Sequence, residues 1–129
     1  MRDKVLAGKK GKLLKKYDGF DLAHDAAARF LDLQDQLRSA ENQVHLLMQA
    51  FATATVEAVR KSDLPTVLSI WSFLEKVLSN PQLDPELANA VRISFLNQND
   101  LLINDSGKEA LEKMPPRLRQ LVAEAYPPA

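Results

Sequence analysis

The chain has 129 residues, and its 17 basic and 17 acidic side chains give a formal net charge of zero. This length suits a single domain, which buries about two-thirds of the surface of its unfolded chain. The absence of cysteine excludes a disulfide scaffold, a thiol nucleophile and cysteine-ligated metal sites. No apolar run reaches the length of a signal peptide or a membrane span, so we expect a cytoplasmic protein.

The net charge of zero conceals a basic N-terminal segment. Residues 1–16 carry seven basic side chains and one acidic side chain, or +6, whereas residues 17–129 carry ten basic and sixteen acidic, or −6. We interpret residues 1–18 as a flexible basic arm and residues 19–126 as one helical domain. The arm is the only segment expected to contact nucleic acid, and an alternative is that it folds back onto the acidic domain. The lysines concerned are Lys9, Lys10, Lys12, Lys15 and Lys16.

A long helical pattern lies between Gly19 and Pro65, a stretch that contains neither glycine nor proline. Apolar residues recur there at alternating spacings of three and four, which is a heptad-like pattern of about four repeats. Its members are Phe30, Leu33, Leu37, Ala40, Val44, Leu47, Phe51, Ala54 and Ala58. The pattern predicts either one helix of about forty residues or two helices broken near Ser39, and its continuity favours one helix.

The next predicted helix covers residues 64–79, with Asp63 as its N-cap and Pro65 in its first turn. Apolar residues occupy two of its sides, which is typical of a helix packed between neighbours at the centre of a domain. Trp71 lies on one of these apolar stripes, so we predict that its indole is in the core.

The C-terminal part of the chain contains further helical patterns. Asp84 and Pro85 predict the start of a helix, and Leu101, Leu102 and Ile103 are expected to return to the core. Residues 106–109 have the spacing of a capping box, Ser-x-x-Glu, and residues 115–126 close the chain as a last helix. The sequence therefore predicts an all-α domain of five to six helices, as an antiparallel bundle or a short solenoid-like stack.

No pattern in the sequence indicates catalysis, a cofactor or a metal. Asp21 with His24 and Glu41 with His45 can share helix faces, but acid–histidine pairs at this spacing are common by chance. No serine lies in a G-x-S-x-G motif. The run "AGKKGK" lacks the serine or threonine of a phosphate-binding loop. We therefore expect a protein that is not an enzyme.

The helix that begins at Pro85 carries the candidate partner-binding surface. Leu87, Val91 and Phe95 form its inner stripe, and the opposite side, at about 100° per residue, mixes polar and apolar residues. This mixture is typical either of a second packing layer or of a protein-binding surface. The residues predicted to contact a partner are Glu86, Asn89, Arg92, Ile93, Leu96, Asn97 and Asp100.

Three short motifs follow one another within residues 55–122. They are "FLE" at residues 73–75, "NAVRISFL" at residues 89–96 and "MP" at residues 114–115. In this order they resemble a small all-helical bacterial family of unknown function that is grouped with immunity proteins of polymorphic toxin systems. The resemblance implies a stoichiometric inhibitor that binds a toxin and blocks its active site. The acidic domain suits a basic toxin, because complementary charge speeds encounter.

A helical scaffold or adaptor is the alternative function, and it includes a module that forms a homodimer. The heptad-like pattern favours self-association, because a long apolar stripe needs a partner if the domain does not cover it. Nucleic-acid binding by the basic arm is a further alternative.

Overall fold

A computed structural model of the chain describes residues 16–41 and 43–125, whose regular structure is entirely helical. Seven α-helices lie in these residues: α1 (Gly19–Arg29), α2 (Gln34–Ser39), α3 (Val44–Arg60), α4 (Leu64–Leu78), α5 (Pro85–Ser94), α6 (Asp105–Glu112) and α7 (Pro116–Ala125). Short 3-10 helices cover Leu31–Leu33 and Gln98–Leu101. The all-α class is confirmed. Among the described segments, none is a helix with both the length and the hydrophobicity to cross a bilayer.

The predicted count of five to six helices is too low, because the N-terminal pattern is divided into three helices. α1 ends at Arg29, and α2 ends at Ser39, so the break near Ser39 is confirmed and the single long helix is wrong. Local sequence signals for these boundaries are weak. Leu33 and Gln43, at the N-cap positions of α2 and α3, make no side-chain capping hydrogen bond.

Every residue of the heptad-like pattern is buried or half-buried within the domain. The division into helices explains this, because α1 packs against α2 and α3, and α3 also packs against α4, α5 and α6. Most of the apolar stripe that favoured self-association is therefore packed within the domain, and Phe30, Leu33, Val44 and Ala54 are half-buried.

α4 is buried on two sides, as its sequence predicts. The side chain of Asp63 accepts a hydrogen bond from the backbone N–H of Thr66, and Pro65 stands in the first turn. Trp71 is fully buried. Because α4 packs against α3, α6 and α7, it forms the centre of the domain together with α3.

The segment between α5 and α6 differs from its prediction. Only Leu101 returns to the core, whereas Leu102 and Ile103 are about half exposed, at 50% and 51%. α6 is capped by Asn104, whose Oδ1 accepts from the N–H of Gly107 at 2.9 Å and whose Nδ2 donates to the carbonyl of Val59 at 2.6 Å. The predicted capping box at residues 106–109 is wrong, because the helix already begins at residue 105.

Tyr17 and Asp18 pack with the helical domain. The backbone N–H of Tyr17 donates to the carbonyl of Gln82 at 2.7 Å, and the N–H of Asp84 donates to the carbonyl of Tyr17 at 2.9 Å. Asp18 then caps α1 in a capping box with Asp21. The predicted arm boundary at residue 18 therefore lies inside the folded body, and residues 1–15, with four of the five candidate lysines, lie outside the described residues.

Candidate functional site

In the structure, the residues of the partner-binding surface predicted on α5 have different roles. Arg92 donates from Nη1 to Asn89 Oδ1 at 3.2 Å and from Nε to Glu124 Oε1 at 2.8 Å. The hydrogen bond from Arg92 is also the main cause that lowers the pKa of Glu124. Arg92 therefore joins α5 to α7 within the chain, which is the role expected of a second packing layer.

The other predicted residues do not form one surface. Ile93 is 55% exposed, whereas Leu96 is only 6% exposed. α5 ends two residues before Leu96, so a helical projection does not describe its direction. Asn97 caps the second 3-10 helix, and only Glu86 and Asp100 remain as exposed polar members of the set.

A groove that the sequence did not predict runs along α4, between α4 and the segment formed by the end of α1, the first 3-10 helix and the end of α3. It is made up of two separate cavities of about 480 and 570 Å³ that share one lining residue, Arg29. The α4 residues that line it recur at spacings of three and four: Thr66, Ser69, Ile70, Phe73, Lys76 and Val77. We call this feature the α4 groove, and its α4 wall is about 16 Å long at 1.5 Å per residue.

An aromatic cluster supports the middle of the α4 groove. Phe30 and Phe73, which line the groove, meet edge to face with ring centroids 5.5 Å apart and an interplanar angle of 89°. Phe51 is fully buried and contacts both rings, at centroid distances of 6.3 and 6.1 Å. Edge-to-face ring pairs are a favoured geometry, so this part of the groove is a packed apolar wall.

Arg29 lies where the two cavities meet. Its guanidinium carbon is 5.5 Å from the ring centroid of Phe30 and 5.8 Å from that of Phe73, within the range of a cation–π interaction. Its Nη2 donates to Ser69 Oγ at 3.4 Å, which is a long hydrogen bond. In the described part of the chain, no carboxylate forms an ion pair with Arg29.

Charged and apolar side chains surround the two ends of the α4 groove. One end contains Asp25 and Lys76, and the other contains Asp32, Glu57, Lys61 and Asp63. The hydroxyl and backbone N–H of Thr66 hold the pKa of Asp63 below its usual value. Leu31, which also lines the groove, is 69% exposed.

Tyr17 closes the end of the groove that contains Asp25. Its hydroxyl donates to Asp25 Oδ2 at 2.7 Å. Burial raises the pKa of Tyr17, and the hydrogen bond to Asp25 and the negative charges of Asp25 and Asp21 raise it further. Each of these causes favours the neutral phenol.

We expect the folded chain to keep Tyr17 protonated at a pH that ionises an ordinary tyrosine. The unfolded group titrates near pH 10, so its contribution to stability is complete below that pH and is lost as the pH rises toward the higher folded pKa. The Tyr126→Phe variant leaves Tyr17 as the only tyrosine. Its absorbance titration should show little tyrosinate at about pH 11 when folded and nearly complete ionisation in denaturant. A folded midpoint near 10 would contradict this expectation.

The described residues contain few groups arranged for chemistry. His45 Nδ1 lies 2.7 Å from Ser94 Oγ, a contact between α3 and α5 whose partners are 49 residues apart. In the described part, His45 donates no hydrogen bond to a carboxylate that would orient its ring. Within residues 16–41 and 43–125, no three histidine, cysteine or acidic side chains are grouped to hold a metal ion. Asp21, one helical turn before His24, accepts a hydrogen bond from the N–H of Asp18.

A family model described as "Domain of unknown function (DUF7674)" matches residues 23–126. No curated protein matches the chain, and no solved structure matches it. The family match includes the whole α4 groove except Tyr17. The family match supports the predicted resemblance to a family of unknown function. It provides no link to toxin immunity proteins.

Proposed function

We propose that this chain, which belongs to the family described as a domain of unknown function (DUF7674), is a protein-binding domain without catalytic activity of its own. Its binding site is the α4 groove, and the occupant is an amphipathic segment of a partner protein. The observation that carries the proposal is the apolar wall of this groove, with a cation at its centre and charged residues at both ends.

The shape and lining of the α4 groove suit a helical segment. Helices bind in grooves through apolar residues at positions i, i+3, i+4 and i+7, and the α4 wall has a length of about three such turns. Leu31 is exposed and Phe30 and Ala54 are half-buried, so these three are available to such anchors. The other apolar lining residues form a buried floor beneath them: Ala58, Ile70, Phe73 and Val77. Burying a side chain such as Leu31 contributes about 1.5–3 kcal/mol, so a few contacts of this kind support specific binding.

The charges at the two ends of the groove define the chemistry of the occupant. Asp32, Glu57 and Asp63 outnumber Lys61 at the end near the N-terminus of α4, so that end favours a basic residue of the partner. At the opposite end Lys76 and Asp25 balance each other, so the cation that favours an acidic residue is Arg29, where the two cavities meet. Such complementarity fixes the direction of a bound segment and its association rate.

A display library of 16-residue peptides, selected on the immobilised full chain, tests the proposal. We expect selected peptides to lose about tenfold or more in affinity for the Leu31→Asp variant, because a charge would replace an apolar contact at the groove. Ile93→Asp is the matched control, since it makes the same change at an exposed apolar residue on α5.

Two outcomes of this selection would contradict the proposal. Peptides that tolerate Leu31→Asp but lose affinity for Ile93→Asp would assign binding to the α5 surface instead. A selection that yields no peptide sensitive to Leu31→Asp would exclude the α4 groove as a peptide-binding site. Binding is measured by fluorescence anisotropy, and the thermal midpoints of both variants show whether they remain folded.

A more specific version of this proposal is that the partner is a basic toxin, which the chain neutralises as a stoichiometric inhibitor. The acidic excess of residues 17–129 supports it, because a charge of about −6 attracts a cationic partner. A scaffold or adaptor would use the same groove. Self-association through the heptad-like stripe has less support, because most of that stripe is packed within the domain.

A further inference from the structure

We infer that Arg29 binds a carboxylate of the partner segment at the centre of the α4 groove. The groove would then select segments that place an aspartate or glutamate among apolar anchor residues. This inference rests on the proposed function, because it names the chemical group that the same groove recognises.

The two aromatic rings hold the guanidinium of Arg29 in place. Because Phe30 and Phe73 are nearly perpendicular, at 89°, and the guanidinium carbon is within 6 Å of both centroids, the cation lies against two ring surfaces at once. Contact with an aromatic surface restricts a long side chain before any ligand arrives. An arginine ordered in this way loses less conformational entropy when it binds a carboxylate.

The donor groups of Arg29 are mostly unused in the described part of the chain. A guanidinium has five N–H donors, and here only Nη2 makes a hydrogen bond, at 3.4 Å to Ser69 Oγ. Asp25, the carboxylate one helical turn away, instead accepts from the hydroxyl of Tyr17. A guanidinium with free donors binds a carboxylate through two parallel hydrogen bonds, which adds both strength and direction.

The surroundings of Arg29 favour a carboxylate over a phosphate group. Each of the two cavities that Arg29 lines contains one further cation, Lys76 in one and Lys61 in the other, together with acidic side chains. Phosphate sites usually combine several arginines or a row of backbone N–H groups, whereas a single planar guanidinium against apolar rings matches one planar carboxylate.

The peptide library described above tests this inference, because it contains carboxylates but no phosphates. Peptides that require the groove should be enriched in aspartate or glutamate at one position. Changing that residue to its amide should weaken binding to the wild-type chain about tenfold or more, but weaken binding to Arg29→Gln by less than about twofold. Arg60→Gln is the matched control, since Arg60 is exposed at the end of α3 and does not line the groove.

A charge exchange makes the test independent of small folding effects. Arg29→Glu should reject the acidic peptide, and a peptide with lysine at the acidic position should bind this variant better than it binds the wild-type chain. Arg29→Lys should recover only part of the affinity, because an ammonium cannot form the two parallel hydrogen bonds.

The outcomes separate this inference from the proposed function. Peptides that are sensitive to Leu31→Asp but show no acidic preference, or whose preference is unchanged by Arg29→Gln, would overturn the inference and leave the groove as a binding site. A failure to select any peptide sensitive to Leu31→Asp would overturn both.

Discussion

Replacing Trp71 by alanine is expected to destabilise the domain by about 3–5 kcal/mol, the range typical of a large aromatic side chain removed from a core. Trp71 is fully buried on α4, at the centre of the domain, where α3, α6 and α7 pack against that helix. Alanine would leave a cavity that these helices can fill only in part. Urea unfolding followed by circular dichroism at 25 °C measures the change in the free energy of unfolding.

Trp71→Phe is the control for this prediction. In the described part of the chain the indole Nε1–H has no hydrogen-bond partner, so phenylalanine removes an unsatisfied donor and keeps most of the apolar volume. We expect this variant to lose less than about 1.5 kcal/mol. Equal losses for the two variants would show that shape at this position, rather than buried volume, determines the effect.

Gly107→Ala is expected to destabilise the domain by about 3 kcal/mol. A Cβ atom at Gly107 would lie 1.6 Å from the carbonyl oxygen of Leu101 and 2.7 Å from its carbonyl carbon. These are backbone atoms of the second 3-10 helix, so the clash cannot be relieved by rotating a side chain. Either α6 or the 3-10 helix must move, which also strains the cap that Asn104 provides to α6.

The expected destabilisation by Gly107→Ala is opposite in sign to the effect of the same substitution in an ordinary helix. Glycine to alanine in an ordinary exposed helix stabilises it by about 0.5–1 kcal/mol. Ser106→Ala, at the neighbouring half-buried position of α6, is the control, and we expect it to change the free energy of unfolding by less than about 0.5 kcal/mol. A Gly107→Ala variant as stable as the wild-type chain would contradict the close approach of α6 to Leu101.

The sequence predicts best those helices whose boundaries depend on adjacent residues. Asp63 and Asp84 each accept a first-turn hydrogen bond and each stand next to a proline-containing start, so α4 and α5 begin where the sequence places them. Trp71 follows from the apolar stripes of α4. In each case the residues that carry the sequence pattern lie within a few positions of the helix start or buried side chain that the pattern predicts.

The division of the N-terminal pattern could not be predicted in the same way. Its apolar residues are buried or half-buried in the divided helices. The same spacing would also suit one continuous helix, so it does not distinguish the two arrangements. The N-caps of α2 and α3 add no side-chain signal. Tertiary packing therefore determines these breaks.

The α4 groove is also a product of tertiary packing. Arg29 meets Phe73 across 44 positions of the sequence, and no local pattern relates the two. The surface predicted on α5 relied on a local pattern that does not hold. The prediction assumed a regular helix as far as Leu96, but the helix ends at Ser94. A helix face that mixes polar and apolar residues is compatible with two roles for Arg92. The side chain could contact another protein, or it could bind Glu124 within the chain, as the structure shows.

The contact between Tyr17 and residues 82–84 limits where the protein can be shortened or joined to another sequence. Both of its hydrogen bonds use backbone atoms, so any residue other than proline can make them at position 17. A version that begins at Lys16 keeps both bonds, whereas one that begins at Asp18 removes their common partner. The carbonyl of Gln82 and the N–H of Asp84 would then need hydrogen bonds from water molecules instead. An affinity tag or a fused fluorescent protein should therefore be attached before Lys16, where its linker leaves this contact intact.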